Sequence, residues 1–216
     1  TQFVLKNALN VTGDSNEMLD AMKRIVPEGN YHNINFGVEF LPSNFEKENI
    51  VYSNRLHEDL YQIDKIILAF SKAIVKHPNW KLVIGANGSL TEDLKELVAQ
   101  KELENSVEFI GWVSKEINWE FYHKSKIYCS IPSSDGTAIS LLEAMYAKSF
   151  PVVWDLPVAK EWLKSDKNGI VVQDDDFISK AIESLPSGLL EENKNRVVET
   201  SDKNIVAVKF LNLHIQ

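Results

Sequence analysis

Short, β-branched apolar runs alternate with helix-length segments from residue 49 onward, and few folds accommodate that order. The runs are Asn49–Ser53 (NIVYS), Lys81–Ile84 (KLVI), Val107–Ile110 (VEFI), Ile127–Ile131 (IYCSI), Pro151–Trp154 (PVVW) and Gly169–Val172 (GIVV). Helices are predicted at roughly 61–76, 91–102, 115–124, 137–147, 158–164 and 175–185. Strands that are apolar throughout are buried on both faces, and helices between them supply the crossovers of a parallel sheet. The pattern predicts an α/β fold, a doubly wound, parallel six-stranded sheet of Rossmann-like type. Ligands of such sheets bind outside the carboxyl ends of the strands, at the topological switch point.

The 216 residues are 44% apolar and 25% charged, which suits a soluble globular domain. A net charge of −8 argues against a general binder of nucleic acid or membrane surfaces, which would need a basic field. The one cysteine, Cys129, cannot form an intrachain disulfide, and no apolar run reaches membrane-spanning length. A reducing, cytoplasmic setting is therefore expected. The chain opens at Thr1 inside the strand-like stretch FVLKNALNVTG, as a piece of a longer protein would. Residues 1–48 are expected to hold one strand, one helix near 15–26 and a turn-rich connection (FGVEFLPSNF), flanking a domain at 49–186. Residues 187–216 read as a polar helix followed by VAVKFLNLHI.

Three loops at strand exits carry polar residues or glycine: SNRLHED with Arg55, GANGS with Gly85 and Gly88, and PSSDGTA, which leads into the helix holding Glu143. The last of these puts backbone N–H groups from about Gly136 through Thr137, Ala138 and Ile139 to Ser140 at a helix start, a place that suits phosphate. Arg55 could add a full positive charge and a bidentate fork. Glu143 is out of place among apolar residues, since Ile139, Leu142 and Tyr146 share its helical face. An unpaired buried carboxylate is costly. Ribose hydroxyls, two donors in one geometry, would satisfy it if phosphate lay at the helix start.

Plainer readings stand beside these. Glu143 could pair with a lysine or a backbone N–H, Asp135 could be an N-cap, Arg55 a surface ion pair and Gly85 a turn former. The five histidines show no metal spacing, and only His57 lies near the proposed site. GxGxxG, Walker A and GxSxG motifs are absent.

The stretch SSDGTAISLLEAMYAKSFPVVWDLPVAKEW resembles the carboxy-terminal signature of the retaining GT-B glycosyltransferases of family 4. Asp135 and Glu143 have that signature's separation of seven intervening residues, followed by EAMYA and PVV. SNRLHED, KLVIGANG, VEFIGWVSKE and NGIVVQDDDFISKAIESL resemble the neighbouring segments in order, so the likeness covers about 49–185. The resemblance implies a GT-B carboxy-terminal domain that binds a nucleotide-diphosphate sugar, with UDP or GDP as the expected carrier, and transfers a hexose-type sugar with retention. It implies that Glu143 binds ribose and that Asp135 contacts the donor sugar, assisted by the amides of Gly136 and Thr137. It places the diphosphate near Ile139 and Ser140 with Arg55, and Trp112 and Val113 near the base. No metal and no further cofactor are expected. The pattern departs at Asp135, where a glutamate is usual, and at Leu60, where a lysine is usual; Gln62 or Lys65 could substitute.

Residues 1–48 then resemble the end of an acceptor domain plus its linker. The expected partners are a nucleotide sugar and, through the missing acceptor half, a glycan or lipid-linked acceptor. Any membrane association, peripheral at the inner membrane, would come through the same half. Bacterial surface polysaccharide or glycoconjugate assembly is the expected setting, and catalysis by this chain alone is expected to be weak or absent. A GT-B-like domain that binds no donor and serves an interaction role is the competing reading. A GT-B epimerase or phosphorylase, which would need a cleft histidine or cofactor lysine, is a third.

Overall fold

The computed structural model describes residues 1–164, 167–185 and 190–214. The chain opens with helix α1 (Gln2–Asn7), strand β1 (Val11–Gly13), helix α2 (Asn16–Ile25) and strand β2 (Tyr31–Asn33). After a linker come β3 (Glu48–Ser53), α3 (Ile63–Lys76), β4 (Lys81–Gly85), α4 (Thr91–Gln100), β5 (Val107–Gly111) and α5 (Lys115–Lys124). The second half of the repeat is β6 (Ser125–Ser130), α6 (Ile139–Tyr146), β7 (Phe150–Val153), α7 (Pro157–Trp162), β8 (Ile170–Val171) and α8 (Phe177–Glu183). Helices α9 (Leu190–Ser201) and α10 (Lys203–His214) close the described chain.

Strands β3 to β8 form one six-stranded, all-parallel sheet in the order β5-β4-β3-β6-β7-β8. Successive residues of its inner strands point to opposite layers. Val51, Leu82, Ile127 and Val152 pack with α3, α4 and α8, whereas Tyr52, Val83, Tyr128 and Val153 pack with α5, α6, α7 and α9. Helix α3 shows how the sequence achieves this. Ile63, Ile66, Ile67, Phe70 and Ala73 recur at helical spacing and are all buried. The chain runs from β3 outward to β5, then crosses back to β6 on the other side of β3. The switch point therefore lies between β3 and β6.

The flanking segments differ from expectation. Residues 2–7 are helical, not extended; of the stretch FVLKNALNVTG only its end, Val11–Gly13, is a strand. Strand β2 has no apolar alternation; its parallel pairing with β1, Val11 opposite Tyr31, creates it. The tail VAVKFLNLHI lies in α10 as far as His214.

A lysine in the linker anchors these parts. The Lys47 ammonium is buried and donates to the Tyr122 and Ser125 carbonyls and to Ser149 Oγ. Burial, helped by the charge of Lys148, pushes it down to about 7. The unfolded chain keeps the ordinary, higher value, so it holds the extra proton above about pH 7. Stability is thus expected to rise with pH above 7, and urea midpoints at successive pH values should show a slope that Lys47→Met removes.

Candidate functional site

A cleft of about 510 Å³ opens above the switch point, between the segment after β3 and the segment after β6. Asn54, Arg55 and Leu56 line it from the first, and Asp135 with Thr137 to Ser140 from the second. Trp112, after β5, stands at its rim with 68% of its surface exposed. Phe36 of the linker and Tyr61 complete the walls.

Arg55 is the one cation among the described lining residues, and it is already engaged. One guanidinium nitrogen donates to Asp135 Oδ2 at 2.7 Å, the other to Ser140 Oγ at 3.1 Å. Its carbon lies 4.5 Å from the centre of the Tyr61 ring. Burial and stacking fix the fork, so what it can exchange is its carboxylate partner.

The turn from Asp135 to Ala138 forms where β6 ends and α6 has not begun. Its N-cap is Ala138, not Asp135. Asp135 Oδ1 accepts from the Gly136 amide at 3.0 Å. The Thr137 amide donates to Asp14 Oδ2 at 2.8 Å, and the Thr137 hydroxyl donates to the Asp14 carbonyl at 2.8 Å. The amides of Ala138, Ile139 and Ser140 have no partner among the described residues. Three free N–H groups at a helix start beside a guanidinium are donors suited to a multivalent anion.

Glu143 lies about one turn further along α6. The buried stripe of that helix is Leu141, Leu142, Ala144 and Met145, with Glu143 at its margin and Ile139 44% exposed. Glu143 therefore borders the core without entering it. Burial still pushes its carboxyl up from the usual range, against the Tyr122 hydroxyl and the charge of Lys115. Tyr122 belongs to a polar floor beneath the cleft. Asn54 Nδ2 donates to the Tyr122 hydroxyl at 2.7 Å and to Asn118 Oδ1 at 3.0 Å, and Tyr128 donates to Asn54 Oδ1 at 3.0 Å. Burial raises Tyr52, Tyr122 and Tyr128, which keeps these phenols protonated and able to donate.

Other expected residues fall elsewhere. Gly85 is buried in β4, its carbonyl 3.1 Å from His57 Nε2, and does not reach the cleft. Val113, Gly136 and Glu143 are likewise outside the cleft lining; Gly136 lines a small apolar cavity behind the turn. His57 is fully buried with both ring nitrogens bonded, to Gly85 and Thr91, so it offers no cleft histidine. Gln62, at φ 53°, donates to the Ile131 carbonyl at 2.6 Å and accepts from Lys65, which sits over Trp154. Neither lines the cleft, and the residue of this turn that does is Tyr61. Asp14, Asn54, Tyr61 and Phe36 escaped the sequence reading. Only Asn54, next to Arg55 at a strand exit, carried a signal. Among the described residues no group of three or more His, Cys, Asp or Glu is placed to hold a metal ion.

This arrangement can be set against known proteins. Residues 38–203 match the profile of the family described as glycosyl transferases group 1. The chain belongs to that family. It is 32% identical over 173 residues to an exopolysaccharide phosphotransferase of Streptomyces coelicolor, covering 78% of this chain and 17% of that protein. It is 21% identical over 226 residues to the poly(ribitol-phosphate) alpha-N-acetylglucosaminyltransferase of Staphylococcus aureus, covering 98% of this chain and 45% of that one. The family member thus spans less than half the length of these curated relatives. Its fold matches the crystal structure of a point mutant of S. aureus TarM, solved with fondaparinux, alpha-GlcNAc-glycerol and UDP, at a TM-score of 0.84 and 19% identity over 98% of this chain and 45% of that chain. The fold is accordingly that of GT-B glycosyltransferases. Among the described residues no helix is long and apolar enough to cross a membrane.

Proposed function

We propose that this chain is the donor-binding half of a retaining, metal-independent glycosyltransferase. It would move a hexose-type sugar from UDP or GDP to a glycan or lipid-linked acceptor in bacterial polysaccharide or glycoconjugate assembly, in the cytoplasm. One observation carries the reading: Arg55 and the free amides of Ala138, Ile139 and Ser140 converge on one cleft at the switch point.

On donor binding the diphosphate takes the amides and the Arg55 fork, displacing Asp135. The freed carboxylate turns to hydroxyls of the donor sugar, while Gly136 N–H still holds its other oxygen. As the glycosidic bond breaks, negative charge grows on the leaving diphosphate, where fixed amides and a pre-oriented guanidinium stabilise it without a metal. Trp112 at the rim offers a face for the base. Glu143, about 6 Å along the helix from Ile139 by rise alone, accepts the ribose hydroxyls. The UDP in the TarM crystal supports the nucleotide class, and the S. aureus relative's name supports a hexosamine-type sugar. Retention rests on the family 4 resemblance.

Calorimetric titration of UDP, GDP and ADP against wild type and Glu143→Gln tests the reading. At least one nucleotide should bind, and the variant should lose about tenfold in affinity, the worth of a charged hydrogen bond. Ribose binding needs the ionised carboxylate, whose value burial has raised. Affinity should therefore weaken as pH falls toward the acid side, and at a higher pH than an ordinary glutamate would give. The same shift makes the free protein more stable with Glu143 protonated, a gain present at low pH and lost as pH rises through the raised value. Glu143→Gln should thus stabilise the nucleotide-free protein at neutral pH, read as a higher melting temperature than wild type. Absence of binding by any nucleotide would favour the domain that takes no donor.

A further inference from the structure

The contact between Asp14 and the turn before α6 joins residues 123 positions apart, and the assignment of donor residues does not use it. Asp14 follows β1 in the flanking segment and is only 8% exposed. Its Oδ2 accepts the Thr137 amide and its carbonyl accepts the Thr137 hydroxyl, so the two residues hold each other through two bonds of 2.8 Å. Thr137 is 3% exposed. The approach is so close that a Cβ on Gly136 would lie 2.9 Å from Asp14 Oδ2, which leaves no room for a side chain there. Asp14 Oδ1 is buried without a hydrogen-bond partner.

What Asp14 grips is the sugar end of the site. The turn it fixes carries Asp135, whose Oδ1 is bonded to the Gly136 amide, the peptide immediately before Thr137. The phosphate amides, Ala138 to Ser140, lie on the other side of Thr137. We propose that Asp14 is a positioning residue for the donor-sugar subsite, holding the Gly136–Thr137 turn so that Asp135 faces the sugar. This rests on the donor-binding reading above. The flanking segment would thereby shape donor choice although it lines none of the cleft at Asp14. A second polar contact keeps the segment in place: Glu161 of α7 accepts from the Asn16 and Glu17 amides at the start of α2.

The test compares ligands with and without a sugar on the same variants. UDP, GDP, UDP-glucose, UDP-N-acetylglucosamine and GDP-mannose are titrated against wild type, Asp14→Ala, Asp14→Asn and Glu161→Gln, with melting temperatures recorded for each. Asp14→Ala should weaken the preferred nucleotide sugar about tenfold and leave the matching nucleoside diphosphate within about twofold. Asp14→Asn keeps an acceptor for the Thr137 amide and should recover most of the loss. Glu161→Gln removes one acceptor at the start of α2 and leaves the Asp14–Thr137 bonds in place, so it should change neither ligand class. Equal weakening of both classes in Asp14→Ala, or no change in either, would overturn the proposal. A wild type that binds none of the five ligands refutes the donor reading itself, a result seen before any variant is compared.

Discussion

Replacing Arg55 by alanine is expected to weaken nucleoside-diphosphate binding about a hundredfold or more, the scale seen when one partner of a desolvated charge pair is removed. No other described residue lining the cleft is cationic; Leu60, where the family 4 resemblance expects a lysine, does not line it, and its neighbour Tyr61 stacks on Arg55. The loss should appear in calorimetry with UDP or GDP, whichever the wild type prefers. Arg55→Lys keeps the charge but cannot bond Ser140 and a phosphate through one planar fork, so it should recover only part of the affinity. A variant lacking Arg55 that binds as tightly as wild type would mean that the phosphates lie elsewhere.

The second large effect runs in the opposite direction. Asp135 accepts Arg55 at 2.7 Å in the free protein, with the two side chains 25% and 13% exposed. Donor phosphate must displace that carboxylate before it can use the fork. Asp135→Asn removes the competitor and should tighten nucleoside-diphosphate binding by about fivefold, since the free state no longer holds an ion pair that binding must break. The same change leaves one neutral carbonyl where the sugar met a charged carboxylate, so discrimination between a nucleotide sugar and its bare nucleotide should fall sharply, as should transfer by the full-length protein. Parallel titrations with UDP and UDP-glucose, or their GDP counterparts, would show the two effects separating. Weakened binding of the bare nucleotide would argue against partner exchange.

The sheet was legible because its four inner strands are buried on both faces, and residues such as Val51, Leu82 and Val152 must then be apolar wherever they fall. Strand β2 was not, since Tyr31–Asn33 become a strand only through pairing with β1. The face of α6 was misjudged for a related reason. Helical spacing groups Glu143 with Leu142, but which neighbouring stripe is buried depends on the tilt of the helix over β6 and β7, which spacing does not encode. Arg55 and Asp135 were readable as strand-exit residues, yet their mutual ion pair was not. Asp14 carried no local signal, because its meaning lies in a turn more than half the chain away. Tyr61 was missed by one position, since the 3₁₀ turn at Asp59–Tyr61 rotates it, and not Leu60, toward Arg55.

The central claim is that the diphosphate sits on the free amides at the start of α6. Amide chemical shifts in a 15N-labelled chain, followed during titration with UDP and with GDP, test it most directly. The largest shifts are expected at Ala138, Ile139 and Ser140, with smaller ones at Thr137, whose amide already has a partner in Asp14. Saturable shifts confined to another surface, with these three amides unmoved, would contradict the account.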